Sequence, residues 1–592
     1  MTTAVQVQYR RGTSSQVATF TGAQGEMVAD TTSNRLVLQD GATAGGWPVA
    51  KLVDVGGSLN KFRNGAMDVW QRGAAPIGVT TSGAYTADGW IVLPAGASVT
   101  AQQAGGRALT KNSLQVFGAA SVTDLIVKQR IESNIAAALA GQTVTVQAQI
   151  GNLNYPASTS IGTGSSSSGA TCTIASVTVP AGALIVVLVT ENAGTIGTTA
   201  DGTNGAYTAA SSGNFNGAAD VGGVFYFQNS AALSGATITY TKHTSGNSVA
   251  MSAFYVTGIA TASALDVSVT ATATGSSTMP SVASGTPGAL NELIVGAMFC
   301  VGAPSYGQSP CFATPPNSIA ISTTLTAAGG VMVGTLGQPV TFAPTLGTSE
   351  AWLAITVGFK AALPGSAITP KLTVRHPSIA DNWASALTTD VNAVSLQSCP
   401  AGAWTQVAYT FSASMLSGNG LEISFDLGSN FGTATSSIQL TELDIRATPG
   451  VATGQTVAPP PPELRSIAAE IALCQRYFAA SFGNGVAPAD GAANAVVTAA
   501  FFISSAQMVN TVAFPAPFRA IPTIGLFASN HVGSPTAGQW QIYISMAWNN
   551  LTGTVVVSGD TSVSGFVLAA SYSGTTGQGV FMAGHWTASA EL

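Results

Sequence analysis

Apolar residues in this chain come in short runs cut by Gly, Ser, Thr and Pro, and most keep a strand period rather than a helical one. LTVRHP (372–377) and LEISFDLG (421–428) alternate apolar and polar positions, so one face of each would be buried. ALIVVLVTENAG (183–194), ELIVGAMFCVG (292–302) and AWLAITVGFK (351–360) are nearly continuous, as for strands covered on both faces. Short strands with this punctuation predict a mainly β, multi-domain chain of jelly-roll and β-sandwich domains. One stretch differs. In ELRSIAAEIALCQRYFAA (463–480), Leu464, Ile467, Ala468, Ile471 and Phe478 fall near i, i+3, i+4, i+7 spacing, which predicts one linker helix.

Length and composition narrow the function. At 592 residues the chain exceeds one core. Only 7% of residues are charged, against about 25% in ordinary soluble domains, while 46% are hydrophobic, which opposes disorder. A net charge of −6 gives no basic field for phosphates, so nucleic acid is not expected as a partner. No apolar run approaches the roughly 18 residues that span a bilayer, and no membrane insertion is expected. The start, MTTAVQVQYRRGTSSQ, lacks the pattern of a secretory signal, so the expectation is synthesis in a cytoplasm. The five cysteines, 172, 300, 311, 399 and 474, contain no CxxC pair; all five are expected reduced, with Cys300 to Cys311 the one bridge entertained.

Residues 1–52 read as a small β module. AVQVQYRRG alternates, and EMVAD and RLVLQDG flank TTSN, a hairpin-length turn. A unit this small buries too little surface to stand alone, which points to identical neighbours. Arg10 and Arg11 either face a partner protein or pair with Glu26. The run RRGTSSQVATFTGAQGEMVADTTSNRLVLQDGATAGGWP, ending at Pro48, resembles the N-terminal domain of the phage major tropism determinant family and related tail-fibre proteins. The resemblance implies a domain that trimerises and helps mount a fibre on a virion.

NGAMDVWQRG followed by YTADGW (64–90) is similar to the start of a jelly roll found in phage tail fibres. That pattern continues through SLQVFG, LIVKQRIE and LAGQTVTVQAQIG, stops, and resumes at ITPKLTVRHP, GAWTQVAYTF, LEISFDLG and IQLTELDIRAT. The expected organisation is therefore a discontinuous jelly roll, 60–155 and 365–448, around an inserted β-sandwich at 156–364. Residues 449–482 follow as a proline spacer and helix, with ELRSIAAEIALCQRYF similar to a phage-fibre connector. A terminal β-sandwich, 483–592, completes the chain and is the expected receptor-binding domain.

No catalytic site is expected. HExxH, GxSxG and P-loop patterns are absent, and His243, His376, His531 and His585 are widely spaced, so neither metal nor cofactor is expected. Asp381, Asp390, Glu422 and Asp426 are the carboxylates that could act as an acid–base pair. A solvent-facing role for Glu422 and Asp426 weighs more, because strand alternation exposes one face. The candidate ligand-binding residues are Trp540, Tyr543, Trp548, Asn549, His585 and Trp586, with Asn550 beside them. Ring faces and amides together suit stacking on sugars. Against this stands inward packing of most of these aromatics, the more common fate of rings in strands.

The function expected is a homotrimeric phage tail-fibre structural protein, part of the virion, acting outside the cell. Its partners would be other tail or baseplate proteins and a host-surface receptor, a glycan by preference, bound multivalently. The alternatives are a polysaccharide-degrading tailspike enzyme and a purely structural head fibre or decoration protein.

Overall fold

A computed structural model describes residues 10–592 apart from 33–34, 50–59, 108, 155, 290, 311, 314–319, 323, 335–336, 364–365, 434–435, 534–536 and 557–559. The fold is mainly β and multi-domain, with only a few short helices among the described residues.

The amino-terminal module is a four-stranded sheet in the order Arg10–Gly12, Met27–Asp30, Arg35–Leu38, Trp47–Pro48. Its first pair is parallel, because the chain crosses over through a helix at Ser14–Ala18, opened by a capping box between Thr13 and Gln16. The core is Val17, Val28 and Val37 with Phe20 against them. On the opposite face Met27, Leu38 and Trp47 form one cross-strand row that stays exposed. Arg10 pairs with Glu26 at 3.2 Å.

Two larger sheets are each built from both sides of the sequence gap. One has the order Leu387–Ser395, Lys371–Pro377, Leu421–Asp426, Asp124–Ile131, Ile91–Ala95, Ala84–Tyr85. The other runs Gly454–Gln455, Ala403–Ser412, Thr143–Asn152, Ser437–Ala447, Asn112–Phe117, Val99–Gly105, Ile77–Val79. Thr143–Asn152 is flanked on both sides by later strands, with Val146 opposite Tyr409 in one and Ile445 in the other. One core fills the space between the sheets, from Trp70 and Trp90 to Phe425 and Ile445.

The segment between them holds two similar five-stranded sheets. The first runs Ala157–Ser166, Val249–Thr257, Leu184–Glu191, Asp220–Phe227, Thr208–Phe215. The second runs Leu265–Ser277, Glu350–Phe359, Leu293–Val301, Leu325–Val333, Ala320–Ile321. Their strand orders correspond one for one. They pack face to face through Leu184, Val186 and Leu188 of the first and Val295, Phe299 and Ile355 of the second. The outer face of the first is covered by a four-stranded sheet, that of the second by two short ribbons. This layering explains the unbroken apolar runs: Leu184–Glu191 is buried at every position because it is covered on both sides. Cys300 is a buried free thiol here, while Cys311 lies outside the described residues.

The helix is shorter than its periodicity suggests. It spans Ile467–Gln475, capped by Ser466, whose hydroxyl accepts from the Ala469 N–H. Residues 463–465 are held non-helical by the segment at 60–63. Asn60 donates its N–H to Glu463 and its side-chain amide to the Glu463 carbonyl, and Arg465 donates to the Phe62 carbonyl at 2.8 Å. The preceding proline run lies against the jelly roll, where Gln147 and Arg446 donate to the Pro460 and Pro461 carbonyls.

The NGAMDVWQRG stretch is the socket into which this helix and the last strand fit. Asn64 takes a left-handed conformation (φ 53°) and donates its N–H to Glu470 at 2.7 Å. At Gly65 a Cβ would come within 2.2 Å of the Leu443 carbonyl, so the close approach requires glycine. Arg63 and Arg72 both pair with Glu591, at 3.2 and 3.1 Å, and lie over the rings of Tyr477 and Phe478. Arg130 and Tyr85 donate to the Leu592 carbonyl.

Candidate functional site

The terminal domain is a nine-stranded sheet centred on the long strand Gly579–Ser589. That strand pairs with Val496–Phe502 and Gln541–Ile544 over its first half, then with Thr523–Phe527 and Phe478–Ala480 over its second. Alternation in Gly579–Ser589 sends Val580 and Met582 into the core and leaves Phe581 52% exposed.

The candidate ligand residues divide by burial. Trp540, His585 and Trp586 are core residues, with exposures of 0, 1 and 4%. The Trp540 indole donates to the His585 carbonyl at 3.2 Å and fits because Gly584 lies beneath it; a Cβ there would come within 2.3 Å of the ring. Trp586 packs among Phe514 and Phe566. His585 stacks on Phe482 at 4.2 Å and meets the Ser481 hydroxyl, and burial holds its pKa below the ordinary imidazole value. These three rings are packed inward and offer no surface to a ligand. Asn549 stands opposite buried Ile542, at the alternate position from Trp548, and its amide bonds the Ala547 carbonyl of its own strand.

Tyr543 and Trp548 are the two that come together on an accessible face. They are cross-strand partners with ring centroids 5.4 Å apart. Tyr543 is also opposite Phe581, and Phe581 is opposite Ala499. One outward row therefore crosses four strands: Trp548, Tyr543, Phe581, Ala499. Phe501, 58% exposed, stands beside it opposite Gly579. The small residues Ala499 and Gly579 leave a shallow groove of about 310 Å³ between the rings of Phe501, Tyr543 and Phe581, with Ser545 and Gln578 at its edge. His531, exposed, extends the row with its ring 4.1 Å from Trp548. Gln541 holds that end in place: its carbonyl oxygen accepts from Ser529 and from the His531 N–H, and its amide donates to Asn550 at 3.0 Å. Sequence reasoning missed Phe581, Phe501 and His531. The signal lay in the alternation of GVFMA, where Phe581 falls between two residues that face inward.

The carboxylates are engaged structurally. Glu422, expected on a solvent face, is fully buried and surrounded by Lys128 at 3.1 Å, Arg130 at 3.0 Å and Arg375. Burial acts to raise its pKa, but the three cations together hold it below the ordinary carboxylate value. Asp381 accepts from the Ser133 N–H and hydroxyl. Asp390 accepts from the Ser417 hydroxyl and contacts His376 Nδ1 at 2.9 Å. The serine meets the carboxylate and not the free imidazole nitrogen, which is not the arrangement of a nucleophile and its base. Asp124 is raised by burial and by the neighbouring Asp426. Among the described residues no group of three or more His, Cys, Asp or Glu is placed to hold a metal, and no helix is long and apolar enough to cross a membrane.

The architecture places the chain among multi-domain, mainly β proteins, and its amino-terminal segment has a more particular kinship. Residues 7–43 match the family described as the major tropism determinant N-terminal domain. The chain is 57% identical over 51 residues to the tail fiber receptor-binding protein of Bordetella phage BPP-1. That alignment covers 9% of this chain and 13% of the relative, so the chain spans only a small part of that protein's length. Solved structures of the major tropism determinant M1 and P3c variants match at 26% and 24% identity, each covering 24% of this chain and 29% of theirs, with TM-scores of 0.09.

Proposed function

We propose that this chain is a structural protein of a phage tail fibre that mounts on the virion through residues 1–52 and binds a host-surface receptor through its carboxy-terminal domain. The observation that carries the reading is the match of residues 7–43 to the major tropism determinant N-terminal domain, together with the 57% identity over 51 residues to a tail fiber receptor-binding protein. The exposed ring row supports the second half of it. Rings without a charged neighbour in the groove suit the C–H faces of a sugar, with Ser545 and Gln578 available to its hydroxyls.

The split jelly roll acts as the scaffold in this reading, carrying the inserted pair of sheets on one side and the terminal domain on the other. The chain works as a homotrimer. In support, the described residues of the amino-terminal module form a small core of Val17, Val28 and Val37 and leave Met27, Leu38 and Trp47 exposed in one row. Three copies per fibre and several fibres per particle convert weak glycan contacts into firm attachment.

Competition tests the reading. Purified full-length chain, added to host cells before phage, is expected to lower the adsorption rate, and periodate oxidation of surface glycans is expected to remove chain binding. Undiminished adsorption overturns the receptor-binding role. Binding that survives periodate overturns the glycan.

A further inference from the structure

The helix at Ile467–Gln475 buries polar atoms and exposes apolar ones. Its buried residues are Glu470 and Cys474. Glu470 is drawn inward by the Asn64 N–H and by Arg465 at 2.8 Å, so the direction facing the protein is set by a carboxylate and not by the isoleucines.

At about 3.6 residues per turn, two apolar flanks remain on either side of that direction. One carries Ile467, 48% exposed, together with Ala468 and half-buried Ile471. The other carries Ala469, Ala472 and Leu473 and faces the Ala516–Phe518 turn across an open groove of about 660 Å³. Ala469, Ala472 and Ala516 line this groove beside Leu473, Pro517 and Phe518, and the short alanine side chains make room for a branched one. Arg465 and Arg476 at its margin are already committed, to Glu470 and to Glu132 at 2.9 Å, so the groove calls for an uncharged aliphatic occupant.

The flank bearing Ile467 and Ile471 is such an occupant. A projecting patch and its receiving groove, placed on different sides of one element, are matched when identical chains are related by a rotation, and the contact then repeats until a ring closes. We propose that the Ile467 and Ile471 flank of one chain enters the groove of Ala469, Ala472 and Pro517 on the next, forming a head-to-tail contact around the fibre axis. This rests on the self-association proposed above and assigns it a specific surface beyond the amino-terminal module.

The test uses the full-length chain carrying both Ile467→Cys and Ala516→Cys, oxidised with copper phenanthroline. Covalent chain-to-chain species are expected from the double variant on a non-reducing gel and not from either single variant, alongside a trimeric mass by light scattering. A trimeric mass without those species overturns the contact and leaves self-association standing; a monomeric mass overturns both. Ala472→Trp supplies a second reading, since a bulky group in an open groove leaves the fold intact. It is expected to weaken association at least tenfold while the far-ultraviolet circular dichroism spectrum stays that of the parent, and unchanged association overturns the contact.

Discussion

Gly222 lies so close beneath the ring of Phe299 that a Cβ on it would come within 2.4 Å of the ring. The two residues belong to different sheets of the inserted segment, and the relationship is reciprocated by Gly329 of the second sheet under Leu188 of the first, at 2.5 Å for the same hypothetical atom. Glycine on one surface and a large side chain on the other let two flat, apolar sheets interlock without a void. Gly222→Ala is therefore expected to destabilise the insertion by about 1–3 kcal/mol through overpacking. Gly202→Ala, where the space is open, is the control. Thermal unfolding should show the loss in one variant only, and adding Phe299→Leu to Gly222→Ala should recover part of it, as expected of residues in contact.

Glu422 makes a sharper prediction about the jelly roll. Three cations converge on one fully buried carboxylate, and replacing it with an amide leaves Lys128, Arg130 and Arg375 facing each other. Breaking a buried ion pair from one side costs about 3–5 kcal/mol. Glu422→Gln should lower jelly-roll stability by that order in urea titration. Because its folded pKa is depressed, the stabilisation from Glu422 is present above its ordinary pKa of 4.5 and is lost as pH falls below it.

Asp88 titrates in the opposite sense. It sits fully buried in the socket, accepting from the Gln71 N–H and side-chain amide and 3.4 Å from Arg72. Burial outweighs these partners and pushes its pKa from 3.8 up to about 6. Between these values the unfolded chain has lost the proton and the folded chain retains it, so stability falls as pH rises through this window, by about 3 kcal/mol for this residue. The difference in unfolding free energy between the parent and Asp88→Asn should therefore change between pH 4 and pH 6 and level off above. A difference independent of pH across this window would show that the folded-state pKa of Asp88 is not raised.

Much of the fold was legible because strand alternation and turn residues are local signals. SLQVFG, LIVKQRIE and LAGQTVTVQAQIG became strands, as did the four runs after the insertion, although Glu422 and Ser424 of LEISFDLG, on the face that alternation turns outward, are buried as well. The duplication inside the insertion was not legible. Its signature is a shared strand order, while the contacts have been exchanged, Gly222 against Phe299 in one direction and Leu188 against Gly329 in the other. The helix shows a different limit: its apolar stripe was visible, but period alone does not say which side faces the chain, and Glu470 reversed it. At the terminal domain, aromatic content was a weak guide to exposure. Trp540 is buried because Gly584 admits its ring, whereas Phe581, two residues beyond Gly579 on the same strand, faces out.

That contrast separates site from core experimentally. Phe581→Ala and Tyr543→Ala remove rings that project from the sheet, and substitutions at such positions change stability by about 0.5 kcal/mol or less. Trp540→Ala empties a filled core position and should cost about 3–5 kcal/mol. If the ring row binds the receptor, the first two variants should lower phage adsorption at least tenfold while the melting temperature of the terminal domain stays put. The double variant should lose nearly all adsorption, since Tyr543 and Phe581 are direct cross-strand partners and would share one ligand. Trp540→Ala should instead lower the melting temperature first, with adsorption falling only as the domain unfolds. Parent-level adsorption in the folded double variant would exclude this sheet face and direct the search to the inserted sheets.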